Sequence, residues 1–423
     1  MKAIKTGGLA PLNIRDFRYL LAGFAIGQML MPLQFITQIL WVQHYAPKDY
    51  WLILVAFIAT SRGLGALTFG LYGGAMADRF NRRTLLLTIQ VLQIFCTVAI
   101  ALLMYNSIGD LTGFTLFFLL TFISSGLQSI DAPTRLAIVP DILGRELTPA
   151  GMSLNQVAGQ VAMPLAMAFT GFIINAAGFS GAYLFSTLGH LLAIFFIALM
   201  NYQPSMPTKQ GSSQRYGFQE IIKDITTGLS YARNHPVILW VIILLVMMMS
   251  LGYPATASLG PTWVTTVVNV PIPRLGFVVM FWGIGSLTAA LLLTRFSSTE
   301  RRGRLVAFGA LLFSISFVLF VSGRSELNVI MGNFGLGAGM TITMVSSTIL
   351  IQHLVPNEIR GRIMSIFQLN MAFAQLMTMP VALFGQWLTL PVLFPILSIL
   401  TLTSVIVILF TRPQLFRAVT SRH

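Results

Sequence analysis

Gly73-Gly74-Ala75-Met76-Ala77-Asp78-Arg79-Phe80-Asn81-Arg82-Arg83 is the stretch on which the fold turns. Its acid and three arginines are crowded between two long apolar blocks, residues 50–77 and 84–106. A block of about 20 apolar residues matches a ~30 Å hydrocarbon core crossed as a helix. The charged stretch therefore reads as a short turn joining two membrane-spanning helices. Small residues before it let two helix ends approach closely. Asp78 is placed to pair with an arginine and lock neighbouring helices, while Arg79, Arg82 and Arg83 hold the turn at an anionic membrane face.

Working outward, the same alternation fills all 423 residues, of which 56% are hydrophobic and 9% charged. An average soluble domain carries about 25% charged residues, so this composition excludes a soluble fold. Twelve spans follow: 17–43, 50–77, 84–106, 111–136, 151–177, 180–201, 236–263, 273–296, 304–322, 326–354, 363–387 and 390–411. Such blocks are not the ~10-residue alternating strands of a barrel, and the predicted fold class is an all-α membrane protein. The basic residues alternate in side. Lys2, Lys5, Arg15 and Arg18, then Arg79, Arg82 and Arg83, then Arg145 share one side with the basic residues of 209–233, 295–304, 360–362 and 412–422, against Lys48, Arg274 and Arg324 opposite. The positive-inside rule then places both termini in the cytoplasm. The polar start and long first block do not fit a cleavable signal peptide, so the first helix is expected to remain as a span.

The net charge of +14 lies between spans rather than on a soluble module, which argues against a nucleic-acid partner. Cys96 is alone, so no cysteine cluster is expected to hold metal, and no cofactor is expected. Gly335, Gly337 and Gly339 follow no strand and precede no Gly-Lys-Ser/Thr, so they read as helix-packing glycines. The chain shows no Walker motif, zinc-ligand spacing or hydrolase elbow, which argues against ATP-driven pumping and against an enzyme.

Weak self-similarity at an offset of 216 pairs Val139-Pro140-Asp141 with Val355-Pro356-Asn357, Pro164 with Pro380, and Arg79-Phe80 with Arg295-Phe296. Duplication of a six-span half accounts for all three, a parallel repeat common in secondary transporters. The expected organisation is a bundle over 1–201, a linker over 202–235 and a second bundle over 236–423. The linker begins Pro/Ser/Gln-rich. It continues with Phe218, Ile221, Ile222, Ile225 and Leu229 on one helical face, which suits either the inner membrane surface or a cap on the bundle.

The 73–83 stretch resembles the signature loop of the major facilitator superfamily, G-x-x-x-D-R-x-G-R-R/K, with Asn81 where that family usually has Gly. Asn tolerates left-handed backbone, so the turn is expected to survive. Asp131-Ala132-Pro133-Thr134-Arg135, Val139-Pro140-Asp141, Arg145-Glu146 and Gly228–Pro236 resemble its enterobactin-exporter-like (transmembrane secretion effector) branch. The resemblance implies two pseudo-symmetric six-helix bundles around a central cavity, and proton-driven export of small molecules such as siderophores or drugs from a bacterial inner membrane. A monomer is expected.

Ionisable groups inside a bilayer are functional candidates by default. Arg62, mid-span with Gly63 and Gly65 following it to make room, is a candidate cation for an anionic substrate group. Asp131, four residues before Arg135 on one helix face, is the leading proton site, with His190 a second candidate because imidazole titrates near neutral pH. Asp78, Arg79, Arg82, Arg83 and Arg135 are expected gate residues, with Arg360 and Arg362 as second-half counterparts. Gln28, Gln34, Gln38, Asn155, Gln156 and Gln375 are candidate substrate contacts, though helix–helix bonding is the commoner role of amides within spans.

The resulting expectation is a secondary active transporter for a small amphipathic or anionic solute. A lipid or lysolipid flippase of the same fold, and a non-transporting membrane sensor or scaffold, remain open at this point.

Overall fold

In lipid the backbone must satisfy its own donors and acceptors. The computed structural model, which describes residues 8–106, 109–202, 218–295 and 301–417, contains helices and no strand among them. Side chains at 71–75, 77–79, 218–225, 357–358, 365, 368 and 416–417 lie outside that description.

The first half forms α1 (Arg15–Tyr45), α2 (Trp51–Arg79), α3 (Arg82–Tyr105) and one helical run, Leu111–Leu199. Gly144 and Gly178, each at φ 69°, break that run into α4 (111–143), α5 (145–177) and α6 (179–199). Left-handed backbone suits glycine, which has no Cβ to clash. The loop expected across 137–150 thus shrinks to one residue, because α4 continues through Pro140 and Asp141.

The second half forms α7 (Phe218–Asn234), α8 (Pro236–Tyr253), α9 (Gly260–Thr266), α10 (Ile272–Arg295), α11 (Arg302–Val321), α12 (Glu326–Leu354), α13 (Asn357–Leu376), α14 (Thr378–Leu388) and α15 (Leu390–Thr411). A π turn, Pro254–Ser258, joins α8 to α9, at the bend that Pro254 and Pro261 predict. Taking α8/α9 and α13/α14 as one crossing each, the described residues contain the twelve expected spans.

Two compact units are present: Met1–Lys48 with Ser61–Gln214, and Asp49–Thr60 with Arg215–His423. In the first, α1 and α3 pack mainly on the 111–199 run. Phe17, Leu20, Leu86, Ile138 and Val139 form one core cluster, and Trp41 stacks near Phe117 with ring centroids 4.9 Å apart. In the second, α12 packs on α11 and α10, over the fully buried Phe313, Phe317 and Phe320. There α7 packs along α13, with Gly228 against Ile366. Phe95, Phe172, Phe308 and Phe410 are exposed on long helices. Water would penalise that surface and acyl chains would not.

Candidate functional site

Most of the candidate residues that the first unit buries lie on α1, α3, α4 and α6. The shortest ion pair among the described residues is on α4, where Arg135 Nε donates to Asp131 Oδ2 at 2.5 Å. The four-residue spacing puts both on one helical face, and Gly23 on α1 makes room, since a Cβ there would lie 3.1 Å from Arg135 Nη1. Arg135 is 3% exposed, yet its Nη1 and Nη2 have no hydrogen-bond partner among the described residues. Orphaned buried donors each cost about 1–3 kcal/mol, so this pair is held at an energetic disadvantage.

From Asp131 the hydrogen bonds continue across the unit. Gln90 Nε2 on α3 donates to Asp131 Oδ1 at 3.0 Å. Gln90 Oε1 meets His190 Nδ1 on α6 at 2.8 Å. His190 Nε2 meets Gln34 Nε2 on α1 at 3.5 Å, and the same Gln34 amide reaches Thr97 Oγ1 on α3 at 3.5 Å. An ionised carboxylate only accepts, so Gln90 must present its N–H to Asp131 and its carbonyl to His190. With Asp131 ionised, this arrangement assigns the His190 ring proton to Nδ1 and leaves Nε2 to accept. Four helices share one directed chain: Arg135, Asp131, Gln90, His190, Gln34.

A second cluster lies beside it. Gln38 Nε2 donates to Thr121 Oγ1 at 3.1 Å and to Tyr183 Oη at 3.0 Å. Gln93 and Ser124 exchange two bonds, Gln93 Nε2 to the Ser124 carbonyl and Ser124 Oγ to Gln93 Oε1, each 2.7 Å. Arg62 is half-buried with its guanidinium 5.2 Å from the Phe35 ring centroid, a cation–π distance.

The remaining candidates are dispersed. Gln28 is half-buried, with its Nε2 3.3 Å from where a Cβ on Gly159 would lie. Asn155 is buried with Oδ1 unpartnered, Gln156 is exposed, and Gln375 in the second unit is half-buried. Arg360 donates to the Val355 carbonyl at 3.3 Å, and Arg362 is exposed. The side chains of Asp78 and Arg79 lie outside the described residues.

At one end of the unit Arg82 Nη1 donates to Asp141 Oδ2 at 2.7 Å and to the Ala137 carbonyl at 3.0 Å. Arg83 Nη2 donates to the Ala198 carbonyl at 2.7 Å. The turn before them does not use left-handed backbone as expected. Asn81 has φ −58°, and its side chain accepts from the N–H groups of Arg83 and Thr84. It survives as an N-cap, a role glycine cannot fill with a side chain. Tyr202 donates to Asp141 at 2.5 Å. Burial, then the hydrogen bond and charge of Asp141, push its phenol up to about 12.

Gln90, Gln93, Thr97, Asp141 and Tyr202 were not among the sequence candidates. One signal was available for three of them. Positions 90, 93 and 97 recur three and four apart on an otherwise apolar helix, which places a polar stripe on one face, and all three are buried.

A family model described as "Major Facilitator Superfamily" matches residues 19–379. No curated protein sequence matches the chain. Among solved structures, a mutant of the nucleoside transporter NupG superposes with a TM-score of 0.75 at 13% identity, covering 95% of this chain and 100% of that one. A bacterial homologue of the iron transporter ferroportin, in an inward-facing state, gives 0.74 at 14% identity over 95% and 98%. A D-xylose-proton symporter gives 0.70 at 16% identity over 93% and 96%. At these identities the likeness is one of fold.

Proposed function

Because the chain belongs to the Major Facilitator Superfamily, and is thus a multi-pass membrane protein and secondary transporter rather than an enzyme, we propose that it exports a small amphipathic or anionic solute in exchange for protons. The observation that carries this reading is the buried chain from Arg135 through Asp131 and Gln90 to His190. A carboxylate and an imidazole joined by one amide inside a membrane bundle are expensive to keep as structural filler. They suit a group that gains and loses a proton as the transporter alternates its access. The bare Nη1 and Nη2 of Arg135 fit a guanidinium that changes partners during that cycle. Arg62, poised over Phe35, is the candidate contact for an anionic portion of the solute, with Gln28, Asn155, Gln156 and Gln375 as candidate polar contacts.

Within this reading both termini are cytoplasmic, the membrane is a bacterial inner membrane, and the working unit is a monomer. The likeness of 131–146 and 228–236 to the enterobactin-exporter branch supports an exported siderophore- or drug-like cargo. Arg82 with Asp141, and Arg83 with the end of α6, would tie helix ends together at the cytoplasmic gate. Asp78, Arg79, Arg360 and Arg362 complete that proposed gate.

The test is reconstitution. Thermal-shift screening of purified protein against amphipathic anions and cations identifies ligands, and their flux is followed in proteoliposomes under an imposed pH gradient. Flux that follows the gradient, and is abolished by Asp131→Asn and Arg62→Ala in folded protein, is the expected result. Wild-type flux in both variants, or flux indifferent to the gradient, would overturn the reading. Movement of a labelled lysolipid instead would point to a flippase.

A further inference from the structure

The hydrogen bonds of the buried chain have a direction, and a single amide sets it. Gln90 stands between Asp131 Oδ1, 3.0 Å from its nitrogen, and His190 Nδ1, 2.8 Å from its oxygen. Each end of an amide has one character: the nitrogen donates and the oxygen accepts. Asp131 Oδ2 is already committed to accepting from Arg135 Nε, so a proton arriving on Asp131 must sit on Oδ1, facing Gln90. Two donors would then oppose each other. Rotating the Gln90 amide by half a turn relieves the clash, but points its N–H at His190 Nδ1. That nitrogen can accept only if the ring proton has moved to Nε2, whereupon Gln34 must turn its carbonyl inward to receive it.

We propose that Gln90 is a positioning residue that couples the tautomer of His190 to the protonation of Asp131, giving α1, α3, α4 and α6 two self-consistent hydrogen-bonded states. The net change is one proton taken from water by Asp131 Oδ1. The histidine stays neutral, releasing one proton from Nδ1 to water and taking one from water at Nε2. The consequence is mechanical as well as chemical. A charge change on α4 forces a side-chain turn on α1 by way of α3 and α6. The inference rests on the reading that Asp131 changes protonation during transport, and it adds which residue transmits that change.

The charged and titratable neighbours are few. On α4 they are Asp131 and Arg135. On α3, Gln90 and Thr97 do not titrate, and Cys96 takes no part in the chain. On α6, Tyr183 is engaged by Gln38. On α1 the chain meets only Gln34, and the charged residues of α2 are Arg62, Asp78 and Arg79.

The test is solid-state NMR of the full chain in lipid bilayers, with labelled histidine and aspartate, and His190→Gln to assign the signal. In wild type at neutral to alkaline pH the proton is expected on Nδ1. In Asp131→Asn the new amide must give its oxygen to Arg135 and its nitrogen to Gln90, so the two ring nitrogens should exchange resonances. Gln90→Met should abolish that exchange in the Asp131→Asn background. An unchanged tautomer in Asp131→Asn, or an exchange that persists without Gln90, would overturn the proposal. Should a variant not fold, acid titration of wild type decides: the Asp131 carboxyl and both ring nitrogens must move at one pH. Separate midpoints, or an imidazolium beside an ionised Asp131, would also overturn it. Flux is read separately, so a chain that carries no solute but shows the exchange fails only the transport reading, and normal flux with a fixed tautomer fails only the switch.

Discussion

The interior of the first unit is richer in buried amides, while hydroxyls dominate that of the second, where Asn333, Asn370 and Arg302 are the buried exceptions. Gln34, Gln38, Gln90, Gln93, Asn155, His190 and Arg135 are buried in the first, whereas Thr256, Ser314, Thr343, Ser347 and Thr401 typify the second. Many of those hydroxyls satisfy themselves on their own helix: Thr256 donates to the Gly252 carbonyl at 2.7 Å, Ser314 to Ala310 at 2.8 Å, and Thr343 to Gly339 at 2.7 Å. A long amide reaches past its own turn to other helices, so it ties them together; a hydroxyl need not. Both units bring helices together at glycines, and the tightest approaches are in the second. A Cβ on Gly285 would lie 1.9 Å from the Phe334 carbonyl oxygen, and one on Gly337 1.9 Å from that of Trp282. At the 216-residue offset Asp131 and Arg135 fall on Ser347 and Ile351. Two halves of like helical plan thus need not share chemistry: one can hold the titratable machinery while the other keeps to tight packing.

The sharpest way to break this contrast is steric. Gly337→Leu or Gly285→Leu drives a side chain into backbone that cannot swing aside, well beyond the ~1–3 kcal/mol of ordinary overpacking. Loss of monodisperse protein on size-exclusion chromatography is expected, and a folded variant would show that α10 and α12 do not depend on that approach. Next in size is Arg135→Ala, which leaves the half-buried Asp131 without its cation, at up to about 3 kcal/mol, the low end of the range for a fully buried pair. Its melting temperature should fall far more than that of Ile351→Val, whose cost is about 0.5–1.5 kcal/mol. Smaller again is Gln38→Leu, which strands the Tyr183 hydroxyl and leaves Thr121 only its bond to the Phe117 carbonyl, at about 1–3 kcal/mol. Thr343→Val, which loses only a bond to its own helix, should cost under about 1 kcal/mol. Equal losses in those two would erase the distinction between bridging amides and self-satisfied hydroxyls.

The smallest effect concerns Tyr202. Its folded value of about 12 lies above its ordinary 10.0. The protonated phenol is therefore favoured by folding, and that stability is complete below pH 10 and lost as pH rises toward 12. Tyr202→Phe should flatten the alkaline arm of a melting-temperature profile over that window, with a small constant loss below it from the missing bond to Asp141.

The spans could be read without coordinates because the bilayer demands a fixed length of apolar helix, and the candidates Arg62, Asp131 and His190 stood out as ionisable groups within such lengths. Gln90 did not, since the stripe it forms with Gln93 and Thr97 marks an inward face but not which helix or charge that face meets. Its partner His190 is 100 residues away in sequence, and no periodicity on α3 points to α6. Position 81 shows the opposite failure. Its tolerance for left-handed backbone was a sound property of Asn, but the helix start offered two unpaired N–H groups, and capping them won.

Composition and spacing alone determined that this chain crosses a membrane twelve times, because hydrophobic length is a local property and the solvent imposes it segment by segment. Packing alone decided that Asp131 and His190 share one amide and that Asn81 caps a helix. A hydrogen bond depends on where two groups meet and which way each one faces, and neither is written in the order of the residues.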